Sequence, residues 1–152
     1  MKRIPTISLC LTSLTFVASL LAAEKPNILF IAIDDLKPSI GAYTNAVPTP
    51  AMDRIAARGT TFLNAHCQQA VCGPSRASVM TGKYPDFTQI WDLKTKIRAI
   101  HPEIVTLTQH FKNNGYHTAG VGKIFDPRSV DKGADSRSWS EAYTQTWHLE
   151  YN

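Results

Sequence analysis

The sequence predicts an α/β fold, a mostly parallel sheet with helices packed against it. Three observations predict it. Residues 27–33 form a continuous apolar run, as expected of a strand buried on both faces. Segments with helix start and stop signals alternate with further strand-like stretches. Two of the predicted strands end in charged residues, Asp34-Asp35 and Lys123, at the carboxyl ends where open α/β sheets gather their ligands.

Length and composition set the bounds. The 152 residues suffice for one domain with a modest core. At 43% hydrophobic and 18% charged, the chain reads as globular rather than disordered. The formal net charge of +4 is scattered, with no Lys/Arg block interleaved with aromatics, which argues against a nucleic-acid partner.

Residues 1–23 read as a signal peptide. Lys2-Arg3 supplies the positive end, residues 7–21 the apolar stretch, and Ala22-Ala23 the small residues for cleavage. A membrane anchor is the competing reading, but the stretch is short and interrupted by Ser and Thr. Export to the periplasm or outside (a lysosome in a eukaryote) is therefore expected, with no membrane anchor after cleavage. Cys10 is poorly placed for lipidation, since Leu9 precedes it. Cys67 and Cys72 remain. In an oxidising compartment they could pair, but the bridge would close a very small loop and silence Cys72.

The elements follow in order. The strand over residues 27–33 stops at Asp34-Asp35, and adjacent carboxylates repel unless a cation or protons neutralise them. Oxygen ligands of this kind suit Ca²⁺ or Mg²⁺, while a solvated turn with one Asp capping the next helix is the alternative. Pro38, Gly41, Asn45, Pro48 and Pro50 punctuate a loop. A short helix follows, with Thr49 as N-cap, Pro50 in the first position, Gly59 as the stop, and Met52, Ile55 and Ala56 as its apolar face. Residues 60–65 read as a short strand.

Cys72-Gly73-Pro74-Ser75-Arg76 then opens a helix that ends near Thr81-Gly82. Pro is favoured in a first turn, where its missing N–H is an orphan in any case. Cys72 thus stands at a helix start, where unpaired N–H groups and the dipole favour a thiolate. A buried structural Cys before an ordinary helix is the alternative. Residues 83–102 read as loop. Residues 106–114 read as a helix with Gly115 as its stop, and with Leu107, His110 and Phe111 on one face. Residues 116–122 read as a strand leading to Lys123. Beyond Asp126-Pro127 the chain is polar and loop-like, with Trp139, Tyr143 and Trp147 as isolated anchors.

Paired carboxylates, a helix start, an Arg and a Lys suit a tetrahedral oxyanion, and phosphate and sulfate esters both qualify. Other chemistries fail on spacing. Gly82-Lys83 and Gly122-Lys123 lack the remainder of a P-loop, and the five His show no zinc-site spacing. His66, His110, His117 and His148 read as structural or surface residues, and His101 as a loop residue.

The motifs resemble those of a known family. Cys72-Gly73-Pro74-Ser75-Arg76 matches the C-x-P-S-R signature of the type I, formylglycine-dependent sulfatases, and residues 77–82 match its usual extension. Residues 26–35 resemble the family's opening strand and first metal ligands, and Gly120-Val121-Gly122-Lys123 its active-site lysine segment. Asp34-Asp35-Leu36-Lys37-Pro38 and Gln69-Ala70-Val71-Cys72 look most like the iduronate-2-sulfatase branch.

The resemblance implies an alkaline-phosphatase-like fold and sulfuric ester hydrolysis on a sulfated sugar or polysaccharide. It implies that a formylglycine-generating (sulfatase-maturing) enzyme converts Cys72 to 3-oxoalanine, which resolves the oddity of a reactive exported thiol. One hydroxyl of the hydrated aldehyde would attack sulfur, and the other would let the sulfated intermediate collapse. Asp34, Asp35 and the modified Cys72 would bind Ca²⁺, with Mg²⁺ the lesser candidate. Arg76 would hold the hydrated aldehyde, and Lys123 would contact the sulfate or the leaving group.

The chain departs from the family pattern in two places. Relatives often carry His three residues after the lysine, where this chain has Asp126. A carboxylate there would repel a sulfate ester, so either the substrate contact differs or Asp126 points away. Family members are also much longer, and Ca²⁺ takes about 6–8 oxygen ligands, more than these residues supply. Residues 24–152 are thus expected to be the N-terminal part of a catalytic domain. A truncated, inactive sulfatase fragment and a related phosphate or phosphonate ester hydrolase are the alternatives.

Overall fold

The computed structural model describes residues 25–144, so the signal-peptide stretch, Trp147 and His148 lie outside the described residues. The chain divides into two units, Met1–Phe30 and Ile31–Asn152. In the first, residues 25–30 are exposed and lack regular secondary structure.

The second unit is built from short helices. α1 spans Pro50–Ala56, α2 Cys72–Thr81, α3 Pro85–Thr88, α4 Ile97–Ile100 and α5 Leu107–Asn113, and a 3₁₀ turn covers Ser136–Ser138. The predicted start of α1 holds in position, with Thr49 before it and Pro50 in its first turn, but the Thr49 hydroxyl makes no capping bond and donates instead to Asp53 Oδ1 at 3.0 Å. Its end does not: the helix stops at Ala56, before Gly59. Its expected apolar face is not a core face either, since Ile55 is 67% exposed. α2 ends where predicted, with Gly82 in the left-handed conformation at φ 65°. α5 starts with Thr106, whose hydroxyl accepts a hydrogen bond from Gln109 N at 3.1 Å. The stretch read as loop over residues 83–102 contains α3 and α4.

The predicted strands differ from the structure. No β-strand forms among the described residues. Residues 31–33 of the apolar run are exposed, and so are Phe62 and Leu63 of the second predicted strand. The physical reason is that a strand exists only through hydrogen bonds to a neighbour, and no described segment supplies a ladder. The third predicted strand comes nearest. Val121 forms a parallel bridge with Thr144, and Gly122 N donates to Thr144 O at 3.1 Å.

The core lies behind α2. Spacings of three and four residues put Gly73, Ala77 and Met80 on one helical face, and all three are buried. Ala77 and Met80 pack with Ile90, Ile97, Phe125, Val130 and Trp139, and Ile104, Ile124 and Tyr143 border them. Met80, Ile90 and Ile97 are almost completely buried, which stabilises the fold by roughly 1.5–3 kcal/mol per side chain. Trp139 is a core residue rather than an isolated anchor. Its ring meets Phe125 edge-on and stacks obliquely on Tyr143, and its indole N–H donates to Ala134 O at 2.8 Å.

A buried polar hub fixes the far side of this core. Arg98 on α4 forks onto Asp135 and also reaches Ile104 O and Gln109 Oε1, each at 2.8 Å. Thr106 and Ser138 share a hydroxyl bond of 2.5 Å, and Ser138 also donates to Asp135. These bonds tie α4, α5 and the 3₁₀ turn together.

Candidate active site

The site is assembled from three segments: Asp34-Asp35, the first turns of α2, and the loop carrying Lys123. Cys72 and Arg76 are four residues apart on α2, so they share a face, about a quarter-turn around the helix from the one that Gly73, Ala77 and Met80 bury. That buried face holds α2 in place, so core packing aims the thiol and the guanidinium. Gly73 permits the close approach behind them. A Cβ there would stand 2.6 Å from Ser129 Oγ and 2.8 Å from Asp92 O.

Asp34 is the centre of the polar contacts. Arg76 Nη2 donates to Asp34 Oδ1 at 2.8 Å, and Lys123 Nζ to Asp34 Oδ2 at 2.5 Å. Cys72 Sγ lies 3.6 Å from Asp34 Oδ1 and 3.3 Å from Lys123 Nζ. Burial works to raise the Asp34 pKa, but the hydrogen bonds and charges of Lys123 and Arg76 outweigh it and hold the value at about 2. Burial likewise works to lower the Lys123 pKa, and its bonds to Asp34 and Cys72 push it up instead. At neutral pH the pair is a carboxylate and an ammonium.

Asp35 follows with φ 51°, a left-handed backbone that Asp tolerates better than most residues. One ligand atom each from Asp34, Asp35 and Cys72 fall within 4.8 Å of one another. The predicted ligands are thus together. Two carboxylates fit a hard cation. A thiol does not, whereas an oxygen in its place would complete an all-oxygen set.

Lys123 is held from both sides. Arg76 Nη1 donates to Lys123 O and, at 3.1 Å, to Ile124 O. Tyr143 OH donates to Gly122 O at 2.9 Å and accepts from Ile124 N at 3.1 Å. The sequence reading missed this task of Tyr143, because nothing in the sequence links a tyrosine to a loop 20 residues upstream.

The remaining predicted residues are also accounted for. Asp126 is buried and does not face solvent; Arg128 Nε and Nη2 grip its carboxylate at 2.9 and 2.8 Å. Its negative charge is therefore matched from within the fold. Cys67 and Cys72 are both free thiols. His66, His101 and His117 bond to Asn64, Phe87 O and Glu141, all outside the cluster. No helix among the described residues is long and apolar enough to cross a membrane.

The family model for sulfatases matches residues 26–151, the three site segments included. The chain belongs to the sulfatase family. It is similar to the iduronate 2-sulfatase of Mus musculus, at 43% identity over 78% of this chain and 22% of the relative. The human iduronate 2-sulfatase is also 43% identical, over 75% of this chain and 21% of that protein. A sulfatase of Formosa agariphila reaches 46% over 71% of this chain and 23% of its own length. Within the sulfatases the chain is iduronate-2-sulfatase-like, and the family carries an alkaline-phosphatase-like α/β fold. The chain spans about a fifth of the length of these curated relatives.

Proposed function

We propose that the protein is a sulfuric ester hydrolase that releases inorganic sulfate from a sulfated sugar or polysaccharide. The observation that carries this reading is the convergence of Asp34, Asp35, Cys72, Arg76 and Lys123 from segments up to 89 residues apart in sequence. Membership of the sulfatases supports the reaction class, and the named substrate of the iduronate 2-sulfatases supports a sulfated sugar acid.

Asp34, Asp35 and Cys72 are the residues that would hold a cation, Ca²⁺ in preference to Mg²⁺, with Cys72 converted to formylglycine. A bound cation would supply charge neutralisation at the sulfate oxygens. The chain's own residues do the rest. Lys123 brings a fixed ammonium to within contact of residue 72, where it serves the sulfate or the departing oxygen. Arg76 keeps its guanidinium between Asp34 and the Lys123 backbone, so the hydrated side chain at position 72 would meet a preset donor. The start of α2 adds unpaired N–H groups beside the same position.

In the same reading residues 1–23 are a signal peptide and the protein is exported. Residues 24–152 form the N-terminal part of a catalytic domain, and a sulfatase-maturing enzyme acts on Cys72. The test is sulfate release from a sulfated uronic acid by the intact protein, beside mass spectrometry of the Cys72 peptide. Conversion of the thiol to the aldehyde lowers the peptide mass. An unmodified Cys72 in protein made by a host with the maturation enzyme, or no sulfate release after conversion, would overturn the reading.

A further inference from the structure

Asp126 and Arg128 are a charged pair beside the site that the proposed chemistry leaves unused. The Asp126 side chain is 0% exposed, whereas that of Arg128 is 51% exposed. Arg128 closes on the carboxylate three times: its backbone N on Oδ1 at 3.0 Å, Nε on Oδ1 at 2.9 Å and Nη2 on Oδ2 at 2.8 Å. Such a fork fixes both the position and the plane of a guanidinium. No described residue accepts a hydrogen bond from Nη1 of Arg128.

Two contacts place this guanidinium next to the reacting position. Asp126 Oδ2, which takes the Arg128 bond, also lies 3.9 Å from Lys123 Nζ. One carboxylate oxygen therefore separates Arg128 from the ammonium that touches Cys72. Ser129, the next residue, packs its hydroxyl against Gly73 at the start of α2. The pair also answers the charge problem at position 126. The carboxylate is turned inward, and what it presents outward is a cation.

We propose that Arg128, aimed by Asp126, binds a second anionic group of the substrate, a carboxylate or a further sulfate on the sugar that carries the scissile ester. The inference rests on the sulfatase reading above. Arg76 and Lys123 are committed to Asp34 and to the reacting position. Arg128 is an oriented cation at the rim that can take an oxyanion in its remaining N–H groups. Asp126 is a positioning residue, because its part in this recognition is to aim Arg128.

The experiment separates this claim from its parent. Binding is measured by calorimetry on the intact protein carrying Cys72→Ala, which cannot turn over. The ligands are a neutral sugar monosulfate, a monosulfated uronic acid and a disulfated neutral sugar. Adding Arg128→Gln should weaken binding of a ligand with the second anion about ten- to a hundredfold, the range of a hydrogen bond to a charged group. The neutral monosulfate should lose much less. Whichever second anion shows the loss identifies the group recognised.

Arg128→Gln also strands a buried carboxylate, so Asp126→Asn/Arg128→Gln is measured beside it. The double variant should regain thermal stability without regaining affinity, and it carries the test if the single variant fails to fold. Equal losses for all three ligands, or affinity restored in the double variant, would show that Arg128 only neutralises Asp126. Sulfate release by the wild-type protein reports on the parent reading alone.

Discussion

Arg76→Lys keeps the positive charge of the site and removes its geometry. Arg76 is 11% exposed at its side chain and makes three bonds in two directions, to Asp34 and to the carbonyls of Lys123 and Ile124. A single ammonium on a flexible stem cannot serve both directions. If Lys keeps the Asp34 contact, two carbonyls lose their donor. At about 1–2 kcal/mol for each half-buried group, the intact protein should lose roughly 2–4 kcal/mol of unfolding free energy. The Asp34 pair adds little, because that carboxylate is 37% exposed and screened. The larger effect should be catalytic. The same carbonyls hold the Lys123 loop, and misplacing a catalytic group by about 1 Å can cost on the order of a hundredfold in rate. Urea unfolding and steady-state sulfate release on one preparation read the two effects. A variant with wild-type unfolding and at least a tenth of wild-type kcat would refute the idea that the Arg76 fork positions Lys123.

Two further predictions concern the ground beneath the site. Gly73→Ala should lower Tm despite the better helix propensity of Ala, because the new methyl would stand 2.6 Å from Ser129 Oγ and 2.8 Å from the Asp92 carbonyl. Overpacking of about 1–3 kcal/mol outweighs a propensity gain of at most about 1 kcal/mol, and an unchanged or raised Tm would contradict that close approach. For Asp126, burial works to raise the carboxyl pKa, and Arg128, with help from Lys123, outweighs it and lowers the value below the ordinary one. The native state thus binds the proton less readily than the unfolded chain. The pair's contribution is full above the ordinary carboxylate pKa and is lost as pH falls through the lowered value. Urea series on wild type and Asp126→Asn should show a stability gap that is widest near neutrality and closes in acid. A gap that grows in acid would reverse the assignment.

The site was legible where chemistry and spacing coincide. Cys72 and Arg76 announce a shared helical face by their four-residue spacing, and Gly73-Pro74 marks the helix start. Asp34-Asp35 and Lys123 announce themselves as charges closing apolar or small-residue stretches. The structure brings all five together. The strands were less legible. An apolar run records what a strand would need, but the strand itself requires a hydrogen-bonded neighbour, and the described residues pair only at Val121 and Thr144. Gly59 was misread because a glycine signals a stop without fixing where the last helical turn closes.

The sequence by itself determined the candidate site residues and the family, because those depend on residue identity at short, fixed offsets. Only the tertiary structure decided how they are held and charged. Tyr143 reaches back to the Lys123 loop, Arg76 bridges that loop to Asp34, and Arg128 turns the Asp126 carboxylate inward. The Tyr143 and Arg76 contacts join residues far apart in the chain, and no local spacing encodes them. Arg128 is only two residues from Asp126, but it was packing that buried the carboxylate and left the guanidinium outside. The physical reason is common to all three. A hydrogen bond or an ion pair takes its strength from distance, orientation and burial, and these are settled only when the core behind α2 has closed.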